Sequence, residues 1–403
     1  MEIVPTPSTN LPRAILLDVT EGGLAMARAL VKHRVPVYVL ARRPYAFVLA
    51  SRGVEGALLP DLPEGRDAWL LLLGDQAKRG LGVIFSCSDA ATELLVQERA
   101  CIPADLRSFE AQASAHQTLM DKAQLYPIAT QLGISVPSTR SVGSRVELDA
   151  VAANSTYPVV LKPALSHLWD RHFGRTRTAL VHSGDELRAI GTRALGVGLK
   201  MLVSELIPGD DDHLEGVTMV RAQDGRFTLG YGRRKVRQFP PDFGGIHSMA
   251  RSAPVPETMQ MCRRILDFAG YVGVGNLEAK RHAVTGERFL IEINVRVPQG
   301  FGLGDACGAD ASWRLYATLA GLYLGHQPQP KADVRSIHPV LDARSAWRRV
   351  RAGRDTWWGV LRSYRGTRDV GVLDPRDPGP GTAFIRSKLR GAVPGRRRAR
   401  KGD

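Results

Sequence analysis

Residues 289–300, FLIEINVRVPQG, constrain this chain more tightly than any other stretch. The first half is apolar and β-branched and predicts a buried strand. Side chains two apart on a strand point to the same side. Ile291, Ile293 and Val295 are therefore expected on one face, and Glu292, Asn294 and Arg296 on the other. A carboxylate, an amide and a guanidinium in one row need partners if they are buried. By itself the row fits equally well a strand with a solvated outer face. What lies opposite it decides.

Glu278 supplies the first answer. It precedes a Thr285-Gly286 turn in GVGNLEAKRHAVTGERFLIEINVR, and antiparallel pairing across that turn brings Glu278 close to Glu292. Two adjacent carboxylates raise each other's pKa unless a cation sits between them. Oxygen ligands with an amide carbonyl in third place suit a hard ion such as Mg²⁺, which completes its shell with waters and substrate phosphates. PVVLKP places Lys162 at the end of an apolar strand, where an ammonium calls for an anion such as phosphate. LVSELIPG ends a further apolar strand at Glu205, and the backbone of Leu206 and Ile207 at its exit can read the edge of a flat base. GRRKVRQFPPDFGG gathers Arg233, Arg234, Lys235 and Arg237 ahead of a glycine turn, as a phosphate clamp would.

The rest of the chain frames these stretches. AILLDV at 14–19, VPVYVLARR at 35–43 and GVIFSCSD at 82–89 read as strands, with helical patterns at 24–33 and 90–99 between and after them. Such alternation predicts a parallel sheet covered on both faces. The first turn, TEGGLA, lacks G-x-G-x-x-G spacing, and Arg42 and Arg43 close the second strand instead of an acid, which disfavours a nicotinamide site. Residues 115–132 read as one helix stopped by Gly133. Beyond Tyr157 the chain is strand-rich, with a helix near 184–195 and hairpins turning at Asp224-Gly225 and Thr285-Gly286, which predicts a separate α+β unit. With 403 residues, 44% of them hydrophobic, there is material for two or three globular cores. The opening MEIVPTPSTNLPR shows no secretory pattern, and Cys87, Cys101, Cys262 and Cys307 have no metal spacing and read as buried, reduced thiols of a cytoplasmic protein.

In this order, DK at 121–122, PVVLKP at 158–163, SELIPG at 204–209, the GRRKVRQ strand, NLEAK at 276–280 and IEINVR at 291–296 resemble the ATP-grasp superfamily over residues 115–310. The subgroup most similar is the carboxylate–amine ligase-like one, which shares an RKxRQxPPxFG-like stretch and a basic extension with a DP-x-P element, here Asp377 to Pro380. The resemblance implies a Rossmann-like pre-ATP-grasp domain at 1–110 and an ATP-grasp domain at 111–330, its small lobe at about 140–205 and its large lobe at about 206–330. It implies that Lys122 and Lys162 contact ATP phosphates, that Glu205, Leu206 and Ile207 hold the adenine, and that Asp212 or His213 lies near the ribose. Glu278, Glu292 and Asn294 would hold Mg²⁺ or Mn²⁺, and Arg296, Lys235 and Arg234 would be the catalytic cations. The implied reaction is ADP-forming: a small-molecule carboxylate becomes an acyl phosphate and an amine attacks it. The sequence departs from the family in the glycine loop after Lys162, where LSHLWDRHFGRTRTALV offers only Gly174.

The net charge of +15 concentrates in the last part of the chain. Residues 331–385 form a basic extension in which Arg348, Arg349, Arg351, Arg354, Arg362 and Arg365 interleave with Trp347, Trp357, Trp358 and Tyr364, and 386–403 reads as a disordered basic tail. Solvated faces account for such runs. The alternatives are a nucleic-acid binder, disfavoured because no zinc spacing or aromatic RNA-binding signature is present, a non-catalytic nucleotide-binding protein, or docking on an anionic membrane surface at the inner face. A helix at 310–324 carries Leu315, Leu319 and Leu322, which read as core before they read as a homodimer seam.

Overall fold

The structure, a computed structural model, describes residues 11–62, 64–109, 113–163, 169, 172–173, 179–241 and 246–392. The first unit runs β1 (Arg13–Leu17), α1 (Glu21–Lys32), β2 (Val37–Arg42), β3 (Val54–Leu59), α2 (Arg66–Ala77), β4 (Gly82–Ser86), α3 (Asp89–Gln97) and β5 (Leu106–Arg107). All pairings are parallel, in the order β3-β2-β1-β4-β5. Alternation explains the two cores. Ile15, Leu17, Leu40 and Ile84 pack with Trp69 and Leu73 on one face, while Leu16, Val39, Val83 and Phe85 pack with Leu24 and Leu30 on the other. The order reverses at β1 and β4, so the loops leaving them open a crevice at their carboxyl ends. Arg42, at the end of β2, reaches the buried Asp18 with Nε 2.6 Å from Oδ1.

The expected single helix over 115–132 is two helices, α4 (Ala113–Met120) and α5 (Lys122–Gln131). Asp121 breaks it by taking extended backbone and accepting the amide of Ala123, an N-cap that competes with helix continuation. There follow β6 (Thr139–Val142), α6 (Arg145–Asn154), β7 (Val159–Pro163), β8 (Ala179–Val181), α7 (Gly184–Leu195) and β9 (Met201–Glu205), which make an antiparallel sheet β6-β9-β7-β8. The large sheet begins with β10 (Leu214–Arg221), β11 (Phe227–Phe239), β12 (Ile246–Ser252), α8 (Pro256–Phe268), β13 (Gly273–Arg281) and β14 (Arg288–Asn294). It continues through α9 (Gly302–Ala306), α10 (Ala311–Ala320), β15 (Arg335–Ile337), α11 (Pro339–Arg351), α12 (Trp357–Ser363), β16 (Thr367–Asp369) and α13 (Pro378–Ala392). Seven strands pair as β14-β13-β10-β11-β12-β15-β16, so the basic extension contributes two strands to this sheet's edge. Both hairpins turn where expected.

One detail of the opening strand is corrected. The β13–β14 register passes from Glu278↔Glu292 to Ala279↔Leu290, which leaves Ile291 as the extra residue of a bulge. Leu290, not Ile291, therefore shares the core face with Ile293 and Val295, and Ile291 is half-buried. Residues 386–392, expected in a disordered tail, continue helix α13, and residues 393–403 lie outside the described ones. Of the cysteines, Cys101 is exposed and the other three are buried.

Two seams join the first unit to the rest. At one, Val297 donates its amide to Ser86 O (3.0 Å), and Gln299 Nε2 lies 2.8 Å from Glu21. Gly22 is required there, because a Cβ would sit 1.9 Å from the carbonyl oxygen of Pro298. At the other, Asp377 of the D-P-G-P element accepts Arg28 Nε at 2.8 Å, Ser51 Oγ at 2.7 Å and the Arg52 amide at 3.2 Å. Burial alone would raise the Asp377 pKa, but these donors bring it below its ordinary value. Asp377→Ala leaves Arg28 without its carboxylate and should cost about 3 kcal/mol, read by urea denaturation at pH 7. Because the folded-state pKa is the lower one, that contribution is present above the ordinary aspartate range. The gap between variant and wild type should therefore close as pH falls below about 4.

Candidate active site

The site grows from one rung of a ladder. Glu278 and Glu292 face each other across β13 and β14, and Asn276 faces Asn294 two pairs along, on the same face. On the other side of β13 lies β10, where Gly216 pairs with Glu278, and beyond it Arg233 of β11 pairs with Gly216. Gly216 is the opening through which the guanidinium crosses, since a Cβ there would lie 2.5 Å from Arg233 Cζ. Arg233 thereby spans a whole strand, donating to Asn276 Oδ1 at 2.8 Å and Glu278 Oε1 at 3.0 Å. Lys235, two residues on and on the same face, holds Glu278 Oε2 at 3.0 Å.

Glu292 is matched from a different element. The helix break at Asp121 makes Lys122 the first residue of α5, and its Nζ lies 3.1 Å from Glu292 Oε2. Asn294 donates to Glu292 Oε1 at 3.4 Å, and Arg296 donates to Asn294 Oδ1 at 3.3 Å. Arg296 Nε also binds Asp89 Oδ1 at 2.5 Å, at the start of α3 in the first unit. Lys162 approaches from β7 of the four-stranded sheet, and has no hydrogen-bond or ion-pair partner among the described residues. Five cationic side chains thus meet three carboxylates within this site. The surplus is positive and suits a polyanion.

The titration behaviour follows. Lys122 outweighs the burial of Glu292 and, with help from Lys162, holds that carboxyl well below the carboxylate range. Burial would raise Glu278, but Lys235 and Arg233 more than offset it. Burial would lower Lys122 and Arg296, but Glu292 and Asp89 respectively more than offset it, so both stay charged. Lys162 is the exception. Burial, then Lys122 and Lys235, bring its pKa down to about 8. An ammonium strained in this way is poised to gain from an incoming phosphate.

Arg234 is corrected. It points to the opposite face, where its Nη2 lies 3.1 Å from the wholly buried Glu215. Thr258 of α8 donates to the same carboxylate at 2.5 Å, and Arg281 and Arg288 stand 3.7 and 3.6 Å away. The period-two rule that reads Glu292, Asn294 and Arg296 applies equally to Arg233-Arg234-Lys235, and only the outer two can share a face. Arg237 also leaves the expected clamp. Bulges follow Lys235, and Arg237 turns to Asp342 of α11, with contacts of 2.9 and 2.7 Å.

The remaining expected residues line the exit of β9. Glu205 is exposed, Leu206 half-buried and Ile207 buried, and no backbone hydrogen bond joins the amide or carbonyl of Leu206 or Ile207 to another described residue. Lys280, two residues beyond Glu278, pins this loop through the carbonyls of Gly209 and Asp210. His213 Nδ1 lies 2.8 Å from the exposed Asp212. The loop around Gly174 lies outside the described residues. Sequence reasoning passed over Asn276, Asp89 and Gly216. A glycine in mid-strand opposite an arginine was the available signal for Gly216, whereas Asp89 comes from a distant segment and gave none.

Among solved structures, N5-carboxyaminoimidazole ribonucleotide synthetase from Thermus thermophilus aligns with a TM-score of 0.59 at 20% identity, over 80% of this chain and 82% of that one. An ADP complex of a further N5-carboxyaminoimidazole ribonucleotide synthetase aligns at 0.62 and 15% identity, over 85% and 88%. A biotin carboxylase–ATP-analogue complex from Campylobacter jejuni gives 0.61 and 14%, over 81% and 74%. The fold is the ATP-grasp fold. No family model and no curated protein matches the sequence. Within the ATP-grasp frame the two faces of β11 make separable predictions. Millimolar pyrophosphate should raise the melting temperature of the protein, and Arg233→Met should remove that shift. Arg234→Met should keep the shift while melting lower, because it leaves Glu215 underpaired; differential scanning fluorimetry reads both.

Proposed function

We propose that this protein activates a carboxylate with ATP, as an acyl phosphate, for attack by an amine. One observation carries the reading: Glu278 and Glu292 are set side by side inside a ring of cations in which Lys162 alone makes no ion pair among the described residues. Two carboxylates and one amide oxygen are an all-oxygen donor set, and among the described residues no third acid, histidine or cysteine joins them. Such a set fits a hard divalent cation that takes its other ligands from water and phosphate oxygens. Glu278, Glu292 and Asn294 would hold Mg²⁺ or Mn²⁺, which when bound neutralises β- and γ-phosphate charge. Solved neighbours of the same fold support this reading, one of them a complex with ADP and another a complex with MgADP.

The chain's own residues then divide the work. Lys162 and Lys122 hold phosphate oxygens, and Leu206 and Ile207 offer the adenine their free backbone groups beside Glu205, with Asp212 or His213 at the ribose. A carboxylate oxygen of the substrate attacks the γ-phosphorus, the bond to the β–γ bridging oxygen breaks, and ADP leaves. Lys235 and Arg233 face the charge that spreads over the transferred group. Arg296, fixed by Asp89, stands where the acyl phosphate forms. The amine nitrogen attacks the acyl carbon, phosphate departs, and the amine gives up a proton. A requirement for ATP supports a cytoplasmic location.

A phosphate-release screen of paired small acids and amines with Mg-ATP tests the reading. Release should require both substrates and yield ADP; AMP as product would refute the acyl phosphate. Glu292→Gln should lower turnover about 10²-fold or more, since it removes an anionic ligand from the set that would hold the divalent cation. The Lys162 pKa of about 8 sets a pH signature. Above that pH the free enzyme loses the ammonium, so the KM for ATP should climb while kcat holds. Lys162→Met should have a high KM at every pH and no alkaline limb.

A further inference from the structure

The proposed chemistry leaves unused an exposed aromatic surface carried by two helices of the basic extension. On α11, Arg344, Trp347, Arg348 and Arg351 recur at helical spacing and are all exposed, whereas Asp342, Ser345 and Ala346 on the opposite side are buried. On α12, Trp357, Trp358, Leu361 and Arg362 are exposed around the buried Val360. Trp358 is 66% and Leu361 61% exposed, which is high for side chains that gain so much from burial. Arg354, Arg365 and Arg368 extend the basic surface.

Within the segment itself no exposed acid offsets it. The acids between 340 and 368 are Asp342, buried and bound by Arg237, and Asp355, bound by Arg349 at 2.6 Å. The inward sides of the helices are fixed as firmly as the outward sides are open. Arg237 takes Asp342 and Ser363 together, and Ser345 donates to the carbonyl of Gln238 at 2.7 Å. The surface is therefore rigidly presented, apolar at its tryptophans and leucine, and positive around them.

We propose that this Trp–Arg surface docks the protein on an anionic lipid bilayer. Tryptophan and leucine insert at the headgroup level, and guanidinium groups pair with lipid phosphates. Nucleic acid is the weaker fit. Base stacking needs open aromatic faces, but Arg351 lies over Trp347 at 5.3 Å and Arg362 over Trp358 at 5.9 Å. Leu361 has no use in base recognition. No described helix is long and apolar enough to cross a membrane, so the contact is one of surface docking.

Co-sedimentation of the full chain with vesicles tests this without reference to ATP. Vesicles of phosphatidylcholine and phosphatidylglycerol, at about three to one, should pellet the protein, and pure phosphatidylcholine should not. Trp357→Ala/Trp358→Ala should weaken binding about tenfold while the melting temperature stays put, and wild-type tryptophan emission should shift to the blue on binding. A variant ending at residue 392 separates this surface from the basic tail and should bind within about twofold of the full chain. Three results would overturn the proposal: no binding to anionic vesicles, loss of binding with the tail but not with the tryptophans, or tighter binding of single-stranded RNA than of vesicles through the same tryptophans.

Discussion

Two carboxylates on facing positions of adjacent strands repel, and this molecule is organised around preventing that repulsion from mattering. Glu278 and Glu292 can share a rung only because cations reach them from β11, from α5 and, at longer range, from β7. Those elements belong to two different sheets and a helix between them. The pair is thus a mutual anchor: the carboxylates fix the cations, and the cations keep both carboxylates ionised at neutral pH. A purely structural pairing would balance its charge. Here the positive side exceeds the negative, which is what a site for a polyanion requires.

Small local devices make that anchor attainable. Gly216 clears the path for Arg233 across β10. Asp121 ends one helix and starts the next, which turns Lys122 toward Glu292 instead of leaving it mid-helix. The bulge at Ile291 changes the phase of β14, so that Leu290 and Ile293 both enter the core while Glu292 keeps its place opposite Glu278. The last two are departures from regular secondary structure, and each lies beside the charged side chain that must be aimed, Lys122 in one case and Glu292 in the other.

What could be read from the sequence divides along the same line. Regular features were legible: the two hairpins, the parallel first unit, the helix at 184–195, and the polar row with Glu278 opposite it, because alternation and turn chemistry act locally. The bulge, the helix break and the face of Arg234 were not, for different reasons. Bulges depend on the partner strand. The break turns on a single capping aspartate inside a helical pattern. Arg234 was within reach of the alternation rule, and clustering of charge obscured it. Asp377 carries a recognisable motif whose purpose appears only with Arg28 and Ser51, more than three hundred residues away in sequence.

The C-terminal extension then ceases to be an appendage. Its strands complete the edge of the large sheet, Asp342 grips the strand that carries Arg233 and Lys235, and Asp377 grips the first unit. Arg296 and Asp89 close the same circuit on the other side. The first unit and the large sheet are therefore held at both ends, whereas Lys162 reaches the site from the four-stranded sheet with no ion pair among the described residues. Lys122 and Lys235 repel it until an anion intervenes. A bound polyphosphate would convert that repulsion into a bridge between Lys162 and its cationic neighbours.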